Sequence, residues 1–220
     1  MKRDIVDLNT MQTAIFDLDG TLLDSAWVWD KVDLDFLGNR GFEVPDDYTD
    51  AIAHMGSTQA AVYTKARFGL KESIDSIVAE WIDMARYEYA NDVVCKDGVK
   101  DYLKLLNDAG IKMGVATSSD RELFMKALER EKILDYFDTI VTVHEVKRSK
   151  GFPDVYEKAC KNLGGDVDRS VVYEDILAGV TGAKSGGFGT VAVYDEKSEH
   201  KMEEIKEAAD IYVMNFNELC

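Results

Sequence analysis

The sequence is poor in proline, cysteine, histidine and positive charge, and each shortage narrows what the chain can be. Pro45 and Pro153 are the only prolines, and no internal repeat or low-complexity segment is visible. Cys95, Cys160 and Cys220 are odd in number and widely spaced, with no CxxC or CxxH pattern. They suit a reducing cytosol better than a disulfide framework, and they argue against a zinc site. His54, His144 and His200 show no pairing or metal spacing and read as ordinary surface or loop residues. Lys and Arg number 26 against 42 Asp and Glu, a formal charge of −16. Such a surface repels phosphate backbones and anionic membranes, so neither nucleic acid nor membrane is an expected partner. It also repels phosphorylated metabolites unless cations are gathered locally at a site. No apolar run is long enough to span a bilayer, and Met1 to Gln12 carry charges without an apolar signal region. The expectation is a soluble, cytoplasmic protein.

What is present is a sizeable apolar fraction, 46% of 220 residues, enough for one large domain or a core with a smaller insert. Thr13 to Asp17 reads as a short buried strand with a turn at Asp19-Gly20. A long helical stretch follows. In it Ile74, Ile77, Val78, Trp81, Ile82 and Ala85 keep helical spacing behind a candidate N-cap at Ser73. From Asp97 the pattern alternates. A helix with Val99, Tyr102, Leu103 and Leu106 stops at Gly110, a left-handed cap. Strands are expected at 112–117, 139–143, 170–174, 190–193 and 211–213. Helices are expected around 123–128, 153–163, up to about 185, and 199–208. Strands alternating with helices imply a parallel sheet with right-handed crossovers, whose ligands bind at the carboxyl ends of the strands. The predicted architecture is an α/β, doubly wound parallel core, residues 11–23 and 93–220. An all-helical cap, residues 24–92, is inserted after the first strand and expected over those same strand ends.

The informative residues stand where the predicted strands end. The first strand ends in Asp17-Leu18-Asp19-Gly20-Thr21 and the next in Thr117-Ser118-Ser119. Another leads through a loop to Lys150, and another ends in Glu174-Asp175. Singly, each has an ordinary structural reading: a turn, a helix N-cap, a solvated lysine, a cap for the following helix. Together, in order and each behind its own strand, they form a pocket of acids, a hydroxyl and one ammonium.

Asp17 and Asp19 are two apart, so an extended backbone points both carboxylates one way while Leu18 faces the core. Carboxylates held close repel, and the usual remedies are protonation or a divalent cation. Hard oxygen donors suit magnesium, with Asp17, Asp175 and the backbone carbonyl of Asp19 as ligands. Asp17 is the expected nucleophile, giving an acyl phosphate. Asp19 is the expected proton donor and acceptor. Thr117, Ser118 and the N–H groups around them would cradle phosphate oxygens, and Lys150 supplies the remaining positive charge. Glu174 is read as orienting metal-bound water, with Gly20 and Thr21 in support.

The set Asp17-Leu-Asp19-Gly-Thr21, Thr117-Ser118, Lys150 and Glu174-Asp175 resembles the four motifs of the haloacid dehalogenase superfamily. Glu174-Asp-Ile-Leu-Ala-Gly179-Val and Lys150-Gly-Phe-Pro153-Asp154 resemble its phosphatase and β-phosphoglucomutase branch, as does a helical insert in the first position. The resemblance implies a Mg2+-dependent phosphoric monoester hydrolase with a Rossmann-like core. Its partner would be a small phosphorylated metabolite, and its state a monomer or weak homo-oligomer. An acid at Asp19 resembles the phosphotransferases of the superfamily, not the dehalogenases.

Departures bear on the substrate. Members resembling β-phosphoglucomutase commonly carry a histidine where this chain has Trp27, Val28 and Trp29, and a cap arginine where it has Met55-Gly-Ser-Thr58. Those differences favour water as the acceptor over a phosphosugar mutase. Gly151 stands where proline often follows the motif lysine, and Ile176 where serine often follows the acid pair. Arg40 and His54 are candidates for touching the leaving group. Trp27, Trp29 and Trp81 read as packing within the helical insert. A signalling module of receiver type also uses a phosphorylated aspartate, a hydroxyl and a lysine, but its phosphoacceptor follows a later strand. A catalytically dead binding protein would lack a motif residue, and none is missing.

Overall fold

The computed structural model describes residues 6–52 and 55–220. The chain forms two compact units, one running to Ala26 and resuming over Val93–Cys220, the other Trp27–Asp92. In chain order, β1 (Thr13–Phe16) and β2 (Leu23–Asp24) precede the helices of the second unit: α1 (Val28–Gly38), α2 (Tyr48–Ile52), α3 (Ser57–Phe68) and α4 (Ile74–Asn91). The first unit continues with β3 (Val94–Cys95), α5 (Val99–Asp108), β4 (Lys112–Thr117), α6 (Arg121–Arg130), β5 (Thr139–Thr142) and α7 (Asp154–Leu163). It closes with β6 (Ser170–Glu174), α8 (Leu177–Ser185), β7 (Gly189–Val193), α9 (Met202–Ala208) and β8 (Ile211–Val213).

Six of these strands make one sheet in the order β5-β4-β1-β6-β7-β8. Every pairing in it is parallel. β4 and β6 read as almost unbroken apolar runs because helices cover both of their faces. Ile15, Ala116, Val141 and Val172 pack on one face with Val155, Tyr156 and Ala159 of α7 and Ala183 of α8. On the other face Phe16 stacks on Tyr173 with ring centroids 4.4 Å apart, and Phe216 lies beside both. The Tyr102 hydroxyl from α5 meets that of Tyr173 at 2.6 Å. The doubly wound reading therefore holds. Leaving β1, the chain crosses to β4 on one side and reaches β6 on the other. This reversal of strand order opens a crevice at the carboxyl ends beside β1.

The helical unit has its own core. Trp81 packs edge-on against Phe36 at 5.4 Å, and Ile77, Ala85 and Tyr89 line the same buried face of α4. Ser73 caps α4 as expected, its Oγ accepting from the Ser76 N–H at 3.1 Å.

Two features differ from the sequence expectation. β2 and β3 pair antiparallel over two residues each, too short for any periodicity to announce them. The helix expected over 199–208 begins with a 3-10 stretch, Glu196–Lys201, before α9. The Asp195 side chain takes the Lys197 N–H at its start.

Asp210, at the entry to β8, accepts from the Thr190 N–H at 2.9 Å and the Thr190 hydroxyl at 3.0 Å, and pairs with Lys184. Burial alone would raise its pKa, but Lys184 and Thr190 hold the carboxyl below its ordinary value. A depressed carboxyl stabilises the fold above its unfolded pKa and loses that contribution as pH falls through the folded one. Asp210→Asn is therefore expected to cost about 1 kcal/mol at neutral pH. Urea unfolding from pH 7 to pH 3 should show the gap to wild type closing below about pH 4.

Candidate active site

The sheet brings the acids together. Asp17 follows β1 directly, and its N–H still continues the ladder to the Tyr173 carbonyl at 2.9 Å. Glu174 ends the adjacent β6 and Asp175 follows it. All three are buried, and each offers a carboxylate oxygen within 4.8 Å of the others. Lys150, on the loop between β5 and α7, reaches the cluster: its ammonium pairs with Asp17 Oδ1 and with Glu174 Oε1 at 2.6 Å. The Tyr156 hydroxyl of α7 donates to the same Oε1 at 2.8 Å.

Three buried carboxylates face one ammonium, and their protonation reflects the deficit. Burial pushes the Asp17 carboxyl above its ordinary range, opposed by Lys150 and reinforced by Glu174 and Asp19. Asp175 is raised by burial and by the charges of Asp17 and Glu174. Burial alone would lower the Lys150 pKa, but Asp17 and Glu174 raise it above the usual lysine value, so it stays charged. Among the described residues, Glu174 Oε2 is buried with no hydrogen-bond partner. A site short of positive charge, with only hard oxygen donors and one bare carboxylate oxygen, fits a divalent cation of the magnesium kind.

Asp19 is placed differently. The chain turns sharply after it: the Gly20, Thr21 and Leu22 N–H groups bond back to Leu23, Leu18 and Leu18 carbonyls. Gly20 adopts φ +76°, and a Cβ there would come within 2.5 Å of Asp175 Oδ2. The turn therefore requires glycine twice over, by backbone conformation and by space. Thr21 Oγ1 donates to Asp175 Oδ1 at 3.1 Å and fixes that carboxylate. The Asp19 carboxylate is half-buried. It accepts from Ser25 Oγ at 2.7 Å on one oxygen and from Ser119 Oγ on the other. Thr117, at the end of β4, is buried, and its Oγ1 takes the Ser119 N–H at 3.0 Å. Ser118 is exposed.

Ser25, Tyr156 and Lys96 escaped the sequence reading, and Ser119, quoted there at the end of its strand, was given no role in the site. The Lys96 ammonium donates to the carbonyls of Gly20 (2.7 Å) and Tyr194 (2.6 Å) and to Asp195 Oδ2 (2.9 Å), tying the turn after β1 to the end of β7. Nothing local signals that role, because the partners are 76 to 99 residues away.

Some expectations need correction. Arg40, a candidate for the leaving group, is fully engaged inside the helical unit. It bonds Glu72 at 2.9 Å and Glu80 at 2.6 and 3.0 Å, and its guanidinium lies 3.7 Å over the Phe36 ring. His144 is exposed, in keeping with an ordinary surface residue, and contacts Asp120 at 3.1 Å. His200 Nδ1 meets the Lys197 carbonyl at 3.0 Å. His54 lies outside the described residues. Trp81 is buried as packing, whereas Trp29 is 47% exposed. Cys95, Cys160 and Cys220 are free thiols. Among the described residues no helix is long and apolar enough to cross a membrane.

A six-stranded parallel sheet with a buried acid cluster and one lysine at the carboxyl edge of its central strands defines an α/β enzyme with a Rossmann-like core. The model of the haloacid dehalogenase-like hydrolase family matches residues 14–193, and the chain belongs to that family. It is 27% identical over 208 residues to a validoxylamine A 7′-phosphate phosphatase of Streptomyces hygroscopicus subsp. limoneus, covering 94% of this chain and 95% of that one. It is 26% identical to hexitol phosphatase B of Escherichia coli K12, covering 82% of each. In structure it is similar to a putative β-phosphoglucomutase from Thermotoga maritima, with a TM-score of 0.82 at 23% identity, covering 92% of this chain and 94% of that one.

Proposed function

We propose that this chain is a magnesium-dependent phosphatase acting in the cytoplasm on a small phosphorylated metabolite of the sugar-phosphate kind. The reaction would proceed through a phosphoryl-aspartate on Asp17. The observation that carries the reading is the separation of the two aspartates. Asp17 lies in the buried cluster against Lys150, while Asp19, two residues on, is held outside it by two hydroxyls. One carboxylate is thereby suited to attack and the other to move protons.

Asp17, Asp175 and the backbone carbonyl of Asp19 would hold the magnesium ion. When bound, it supplies the positive charge that lets a carboxylate approach an anionic phosphorus. An Asp17 oxygen forms a bond to phosphorus as the ester P–O bond breaks, and Asp19 delivers a proton to the departing oxygen. Asp19 then takes a proton from water, whose oxygen attacks phosphorus and releases inorganic phosphate and the free Asp17 carboxylate. Lys150 balances charge beside Asp17 throughout. Thr117 and Ser118 hold the phosphate oxygens, and Glu174, Gly20 and Thr21 support the metal residues. The helical residues 24–92 serve as the cap domain that selects the substrate.

Relatives that dephosphorylate a validoxylamine phosphate and hexitol phosphates support a polyhydroxylated substrate. The mutase alternative calls for a cation to hold a second phosphate, and Arg40 is taken up by Glu72 and Glu80. Membership of a hydrolase family leaves the receiver-type reading without support.

Inorganic phosphate release from a panel of phosphorylated metabolites, with magnesium and with chelator, tests the proposal. Release that needs magnesium and ranks polyol and sugar phosphates highest is expected. No release from any ester in the presence of magnesium would overturn it.

A further inference from the structure

We propose that Tyr156 is a positioning residue for the divalent cation. Its hydroxyl joins Lys150 on Oε1 of Glu174 and keeps Oε2 free for the cation's coordination shell, directly or through a bound water. The inference rests on the metal reading of the site given above.

Three observations meet at Glu174. First, both donors that reach its carboxylate choose the same oxygen: Lys150 at 2.6 Å and Tyr156 at 2.8 Å both lie on Oε1. Oε2 is left buried with no hydrogen-bond partner among the described residues. An unpaired buried carboxylate oxygen is costly, so a fold that places two donors on its neighbour and none on it pays for something. Second, the carboxylate has little room to turn and share its donors. A Cβ on Gly179 would overlap the Glu174 carboxylate, so the backbone of α8 presses directly on it. Third, Glu174 belongs to the trio of acids that each offer a carboxylate oxygen within 4.8 Å of the others. A metal ion held by this trio would supply a partner for the bare oxygen, which no donor among the described residues reaches.

The hydroxyl has no packing task that a phenyl ring would not perform. The Tyr156 ring sits in the apolar cluster with Val155, Ala159 and Phe188, edge-on to Phe188 at 6.3 Å. Its hydroxyl hydrogen bond goes to Glu174. Outer partners that fix a ligand's orientation commonly govern metal affinity by about 10- to 100-fold when removed.

The test is magnesium binding by titration calorimetry on the full chain, compared with thermal stability. Tyr156→Phe removes the hydroxyl and keeps the ring; Tyr156→Met removes it with a different side chain. Phe188→Leu disturbs the same cluster without touching Glu174. Both Tyr156 variants are expected to bind magnesium about tenfold more weakly. Phe188→Leu should lower the melting temperature and leave the affinity unchanged. Wild-type affinity in the folded Tyr156 variants overturns the inference alone, and so does an equal loss of affinity in Phe188→Leu, which would mark a packing effect. A wild-type chain that binds no magnesium overturns the metal reading, and the inference with it, before any variant is compared.

Discussion

Asp17→Asn is expected to lower turnover by about 10⁴-fold or more without lowering stability. The amide keeps the size and shape of the side chain but cannot attack phosphorus as an anion. Steady-state rates on the best substrate of the panel, beside thermal unfolding in chelator, test both halves. The stability half follows from charge. Asp17, Glu174 and Asp175 are buried together with one ammonium, and burial raises the Asp17 carboxyl above its ordinary range. A group whose folded pKa is raised favours its neutral form on folding, so it subtracts stability as pH rises above the unfolded value. A side chain that is always neutral escapes that cost, and Lys150 retains Glu174 as its partner. The metal-free variant should therefore melt no lower than wild type at pH 7 to 8. A variant that kept wild-type turnover would remove Asp17 from the chemistry. One that unfolded readily would show that the carboxylate serves the fold first.

The second large effect is steric. Gly182 lies in α8 where the loop carrying Lys150 passes, and a Cβ there would overlap the Lys150 carbonyl oxygen. The obstruction is backbone, so neither side can yield by turning a side chain. Gly182→Ala is expected to destabilise the protein by about 3 kcal/mol. Activity should fall by about 100-fold in whatever folds, because Lys150 moves with its loop. Gly38→Ala provides the contrast. Gly38 is helical in α1 with open space where its Cβ would lie, so alanine there should stabilise by about 0.5 kcal/mol. Denaturant unfolding of the two variants, read with the phosphate assay, separates these signs. Equal effects at the two positions would contradict the close approach of α8 to the Lys150 loop.

What the sequence made legible follows from the range of the interactions involved. The strands at 112–117 and 170–174 fall on the residues expected, because a parallel strand covered on both faces is largely apolar, and the partly exposed strand at 211–213 does so as a short apolar run. The four groups at strand ends were legible for a related reason. A parallel sheet carries the end of every strand to one edge, so position along the chain becomes position in the site. The rest depended on long-range pairing. Ser119 reaches Asp19 across 100 residues, and Tyr156 reaches Glu174 across 18. Neither spacing is periodic, so Tyr156 did not stand out from ordinary hydroxyls, and Ser119, noted at its strand end, had no partner assigned. The engagement of Arg40, named as a candidate for the leaving group, was hidden for the same reason: its carboxylate partners, Glu72 and Glu80, lie 32 and 40 residues on. The two-residue pair of β2 and β3 is held by contacts between residues 70 and 72 positions apart.

The most direct test of the account is to trap the proposed intermediate. The enzyme would be mixed with its best substrate and magnesium, quenched during turnover, and treated with borohydride, which reduces an acyl phosphate to an alcohol. Peptide mass mapping would then locate the reduced residue. The account predicts homoserine at position 17, absent when substrate or magnesium is omitted. Rapid phosphate release with no reduction at residue 17, or with reduction at another aspartate, would contradict it.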